Sequence, residues 1–152
     1  FEFLKALHTN VNQYTKSGSA PIKAAAQGET MVGIVFQHDA VTMKVAGAPI
    51  AVVSPCEGTG YEIGSMSIVK GARNIESAKA FYDFARKADI QSMAAKAQAY
   101  QVPSNKNATP PPESPKFSDI KLIDYDFAKF GSSAERTRLL KRWDDEVASL
   151  PR

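Results

Sequence analysis

A single cysteine, Cys56, leaves this chain without an internal disulfide or a paired-cysteine zinc or redox site. No apolar run reaches the roughly 18 residues that a membrane-spanning helix needs. Lysine and arginine are scattered rather than bunched. The formal charge is only +3, and no basic stripe interleaved with aromatics marks a nucleic-acid surface. Enzyme signatures are missing as well: there is no Gly-x-Ser-x-Gly nucleophile turn, no Walker-type phosphate loop and no HExxH helix. The sequence therefore carries none of these nucleophile, phosphate-loop or zinc-helix motifs. An acid–base hydrolase built on His38 with Asp39 or Glu62 is the one catalytic alternative it leaves, and a binding module without catalysis is expected instead.

What is present is an ordinary globular composition, 43% hydrophobic and 23% charged over 152 residues, enough for one domain with a core. Phe1, Leu4 and Leu7 recur at helical spacing from the first residue, with no initiator Met and no N-cap, so a truncated or processed chain is expected. A hydroxyl-rich loop then delivers Ser19 as an N-cap, with Pro21 in the first turn of a helix that stops at Gly28. Small hydroxyl residues at a helix start leave backbone N–H groups free for an anion, which makes Ser17 to Ala20 a candidate contact. A plain capped helix explains the same residues, since every helix start needs some cap.

The run Met31-Val32-Gly33-Ile34-Val35-Phe36 reads as a strand covered on both faces, and Pro49 to Val53 as a second. His38 and Asp39 follow the first strand, where α/β proteins place ligand contacts. A solvated strand end is the competing reading. The second strand runs into the stretch that organises the chain. Between Pro55 and Gly64 lie Gly58, Gly60 and Gly64, a turn that presents Thr59, Tyr61 and Glu62, and Ser65 to Lys70 continues as a strand.

Beyond it, Asn74 opens a helix with Ile75, Ala78, Phe81, Tyr82 and Ala85 on one face, and Asp89 another with Ile90, Met93, Ala97 and Tyr100 aligned, all core-type positions. Five of the nine prolines fall between Val102 and Pro115, an extended connection. A short turn from Tyr125 to Phe130 ends at Gly131. A last helix starts at Ser132 or Ser133 and ends near Ser149, with Lys141–Asp145 and Arg142–Glu146 pairs on its wet face. The segments divide as 1–53 (helices and strand), 54–72 (ligand loop and strand), 73–100 (helical pair), 101–118 (Pro-rich connection) and 119–152 (C-terminal helical segment). Strands alternating with helices define an α/β class.

The succession Lys23–Glu29, Val32–Ala40, Gly47–Ile50 and Pro55–Glu62, followed by Ile68–Asn74, Ala78–Phe84, Gln101–Asn105 and Arg138–Trp143, resembles the C-terminal half of an extracellular solute-binding protein serving ABC importers, in its ferric-iron-binding-like branch. The resemblance implies a type II periplasmic-binding-protein fold, here a partial copy lacking the N-terminal lobe. It implies a periplasmic protein that captures a small solute in a cleft and hands it to a membrane permease. The iron-binding members use two adjacent tyrosines where this chain has Gln37-His38-Asp39, so tyrosine capture of ferric iron is not expected. His38, Asp39 and Glu62 match the branch that binds phosphorylated sugars, with the two carboxylates accepting from hydroxyls. Thr59 and Ser17 extend that set. Phosphorylated sugar leads as the solute, ahead of ferric iron and phosphonates. The partial copy also leaves an apolar surface for a partner such as a second copy to cover, and a self-associating fragment without solute binding is the alternative.

Overall fold

The structure is a computed structural model that describes residues 1–151. Its helices are α1 (Glu2–His8), α2 (Ala20–Ala26), α3 (Gln37–Val45), α4 (Ile75–Ala85), α5 (Ala88–Gln91), α6 (Phe127–Phe130) and α7 (Ser133–Trp143). Short 3-10 turns lie at Ala94–Ala97 and Phe117–Asp119, and α7 runs on into a π-helical turn, Asp144–Ala148. The chain forms two units, one built from residues 1–16 with 124–152 and the other from residues 17–123.

In the first unit the starts of α6 and α7 have a local cause, while α1 begins after Phe1 without a side-chain cap. The Asp126 carboxylate accepts from the Lys129 N–H at 2.9 Å to open α6, and the Ser132 hydroxyl accepts from the Glu135 N–H at 3.3 Å to open α7. Ser132 and Glu135 have the spacing of a capping box. The expected wet-face pairs form, Lys141 to Asp145 and Arg142 to Glu146, both at 2.6 Å. The opposite side closes on α1. Val147 is wholly buried, and His8 is 1% exposed with both ring nitrogens bonded. Its Nε2 faces the Leu150 carbonyl at 3.1 Å, which can only accept, so the proton sits there. Its Nδ1 then accepts from the Tyr14 hydroxyl, also at 3.1 Å. Tyr14 in turn meets the Trp143 ring edge-on, with centroids 5.1 Å apart.

The second unit departs from the expected strands. Residues 31–36 are extended, but among the described residues the only β pairing is a parallel bridge between Thr59 and Leu122. Instead of lying covered on both faces, Met31 is 100%, Val32 76% and Ile34 77% exposed. Val53 and Val69 in the other two expected strands are likewise exposed. An apolar run specifies that a segment demands cover, while pairing requires a second segment in register, and none within the described residues supplies it. The run is nevertheless held at one point. At Gly33 a Cβ would stand 2.7 Å from the Pro21 carbonyl oxygen, so only glycine lets this backbone pass so close to the first turn of α2.

The helical pair differs too. The expected core face of α4 carries exposed Ile75 and Phe81, and the helix expected from Asp89 to Tyr100 breaks into α5 and a 3-10 turn that ends at Gln98, whose φ of 56° is left-handed. Tyr100 is buried as expected, whereas Met93 is exposed. Met66, Ile68 and Val69 with Phe81 and Tyr82 line an apolar groove of about 300 Å³ between the extended segment and α4. The Pro-rich connection is tied down by side chains. Gln91 Oε1 accepts from the Asn105 N–H at 2.9 Å, Ser92 Oγ from the Thr109 N–H at 2.9 Å, and the buried Ser114 hydroxyl donates to the Tyr100 carbonyl at 2.7 Å. These bonds hold the connection over a stretch where prolines supply no backbone donors.

Candidate functional site

His38 and Asp39 do not close a strand; they form part of the first turn of α3. Phe36 is the last extended residue (φ −63°, ψ 133°), and the helix begins at Gln37 without a side-chain cap. The turn is anchored from its side, because Gln37 Nε2 donates to Ser54 Oγ at 2.8 Å. Ser54 immediately precedes the glycine-rich turn, so the two stretches that carry the candidate residues are joined at their roots.

The His38 side chain is about 30% exposed and touched from three directions. Phe36 stacks on its ring with centroids 5.6 Å apart and planes at 21°. Asp39 Oδ1 lies 3.7 Å from Nε2. The Gln101 amide nitrogen stands 3.1 Å from the same Nε2. Gly18 extends the cluster to the loop carrying Ser17, since a Cβ there would meet the Phe36 ring at 3.4 Å. A half-buried imidazole beside a carboxylate offers a donor and an acceptor at adjacent positions, which suits hydroxyl-bearing solutes.

The glycine-rich turn is built separately. Gly58 N–H donates to the Pro55 carbonyl at 3.2 Å, and Gly58 itself has φ +124°, a backbone state that glycine adopts without strain. Thr59 then exchanges backbone bonds with the Ile120–Ile123 segment, donating to Lys121 O at 2.9 Å and accepting from Ile123 N at 3.0 Å. Its hydroxyl donates to the Gly60 carbonyl. Glu62 is exposed. Among the described residues no hydrogen bond or ion pair joins Thr59 or Glu62 to the His38 cluster. Beside them the Cys56 thiol donates to Glu57 at 3.4 Å, and the Glu57 carboxyl is held below the usual carboxylate range by its own backbone N–H and then by that thiol. No group of three or more His, Cys, Asp or Glu side chains able to hold a metal occurs among the described residues.

Gln101 is the residue that sequence reasoning passed over. It lies 63 positions from His38, and the only signal near it was the Gln101–Asn105 stretch shared with the solute-binding proteins.

Over 99% of its length the chain superposes with a TM-score of 0.91 on the periplasmic binding protein AfuA from Actinobacillus pleuropneumoniae, solved with exogenous fructose-6-phosphate bound, at 50% identity. It also superposes on the periplasmic binding protein P5PA, with a TM-score of 0.86 and 41% identity over 96% of its length. The fold is therefore that of a periplasmic binding protein of the α/β class, present in part. The chain belongs to the bacterial extracellular solute-binding protein family, whose model matches residues 1–129. Among its relatives are an uncharacterised protein of Haemophilus influenzae, 47% identical over 97% of this chain, and the spermidine/putrescine-binding periplasmic protein of Salmonella typhimurium, 30% identical over 68%. The chain spans less than half the length of each: 47% of AfuA, 46% of P5PA, 43% of the Haemophilus protein and 29% of the Salmonella one. The family fits the expected location outside the cytoplasm, in the periplasm. No helix among the described residues is long and apolar enough to cross a membrane.

Proposed function

We propose that this chain is part of the substrate-binding component of an ABC importer, that its solute is a phosphorylated sugar, and that the whole protein delivers it to a membrane permease. The observation that carries the reading is the paired donor and acceptor of His38 and Asp39 in the first turn of α3. It is supported by 50% identity to a protein solved with fructose-6-phosphate. His38, Asp39 and Glu62 take the sugar hydroxyls. Thr59 adds a hydroxyl, and Ser17 with the residues up to Ala20 contacts the phosphate. The role is binding, with no catalysis and no cofactor.

The relatives named for spermidine and putrescine supply the sharpest competitor, because a polyamine is a cation and would need carboxylates without a histidine donor among them. Calorimetric titration with fructose-6-phosphate, spermidine, ferric citrate and a phosphonate separates the classes. Heat from fructose-6-phosphate that is lost in Asp39→Ala and Glu62→Ala is expected. Binding of spermidine or ferric iron alone overturns the sugar-phosphate reading, and release of inorganic phosphate above blank overturns the absence of catalysis.

A second reading has its own observation: the exposed, unpaired extended residues Met31, Val32 and Ile34. Such edges template pairing between copies. Light scattering that finds dimers or larger species without solute binding would favour a self-associating fragment.

A further inference from the structure

We infer that Gln101 is the positioning residue of the His38 site: its side-chain amide donates to His38 Nε2, keeps the proton on Nδ1, and fixes the plane in which the ring meets a solute. The inference rests on the reading of His38 as a solute contact. It goes beyond that reading by naming which ring nitrogen is the donor and which residue sets it.

The geometry is closed on several sides. Gln101 Nε2 is 3.1 Å from His38 Nε2, so the imidazole lone pair at that nitrogen is occupied. Phe36 covers one ring face. Asp39 approaches the same nitrogen at 3.7 Å, beyond ordinary hydrogen-bond reach, and is the charged side chain that opposes Gln101 by favouring a proton there. With Nε2 accepting from the amide, the neutral ring must carry its proton on Nδ1. His38 then offers its N–H donor from Nδ1, the ring nitrogen away from the one that Asp39 approaches, so that donor and the Asp39 acceptor would meet two separate hydroxyls of a sugar. A ring that accepts at Nε2 carries no charge and adds no charge–charge attraction to a phosphate, so the inference assigns its N–H to a sugar hydroxyl. Gln101 can hold this position because the connection behind it is fixed: Tyr100 is buried, its carbonyl takes the Ser114 hydroxyl, and Asn105 is bonded to Gln91.

The test is nitrogen-detected NMR of the histidine rings in the full chain at a pH where both are neutral. The chain has two histidines, and His38→Gln assigns the signals. The wild type is expected to show the Nδ1–H signature at His38. Gln101→Leu is expected to move it toward the Nε2–H form, and Gln101→Glu, whose carboxylate can only accept, to move it fully there. His8 serves as an internal control, with its signals unchanged in both variants. In parallel, Gln101→Leu is expected to weaken fructose-6-phosphate binding about tenfold, the scale of one hydrogen bond, and to leave inorganic phosphate binding unchanged. A wild-type His38 with its proton on Nε2, or a tautomer indifferent to Gln101→Leu, overturns the inference. A tautomer that shifts as expected while fructose-6-phosphate fails to bind even the wild type upholds the pairing and removes the sugar-phosphate reading instead.

Discussion

His8 shows how much a single buried polar ring can hold. Its two nitrogens are satisfied by a carbonyl 142 residues away and by a hydroxyl six residues on, so the ring fastens α1 to the end of the π-helical turn. Replacing it with phenylalanine keeps the shape and orphans the Leu150 carbonyl. His8→Phe is therefore expected to cost about 1–3 kcal/mol in urea unfolding followed by tryptophan fluorescence, since Trp143 reports on this unit. Gly58 is a second critical position, for a backbone reason. Its φ of +124° strains any L side chain, and a Cβ there would stand 3.1 Å from the Ile123 methyl. Gly58→Ala should loosen the Thr59–Leu122 bridge, read as faster amide exchange at Thr59 and Ile123.

Among the elements, those with local causes were legible in the sequence. Pro21 announced α2, although Ser19 stands at its N-cap position without a side-chain cap bond; Gly131 ended α6, and a start at Ser132 or Ser133 announced α7 together with its two ion pairs. What depends on distant residues was not. Residues 31–36 had the composition of a buried strand but lie exposed, and α3 was hidden because Gln37-His38-Asp39 carries no apolar period to mark a helix start. The adjacency of His38 and Asp39 could be read directly, whereas the approach of Gln101 is a product of folding alone.

The α1 contact with the π-helical turn is also electrostatic. Glu146 accepts from Arg142 and lies 3.4 Å from Lys5, and the Arg142 bond holds its carboxyl below the usual carboxylate range against the opposing desolvation, with Lys5 lowering it further. A carboxylate depressed in the folded state stabilises fully above its ordinary pKa, and that contribution is lost as the pH falls through the ordinary value to the depressed one. The melting temperature of this unit should therefore drop as pH falls through the carboxylate range. The drop should shrink in high salt, as expected for exposed pairs.

At the scale of the whole molecule, the exposed residues of 31–36 decide behaviour in solution. Lysine at Val32 or Ile34 replaces an already exposed side chain, so stability should change little while any self-association seen by light scattering declines. If association persists unchanged in both variants, another surface drives it. The way the chain is threaded through its two units has a mechanical corollary. One unit takes both outer segments, 1–16 and 124–152, whereas the other is the unbroken run 17–123 between them. Tension applied at residues 1 and 151 must pass through the outer segments before it can load the run they enclose. In an optical trap the His8–Leu150 fastening should therefore rupture first, and the His38 site should feel no force until it has.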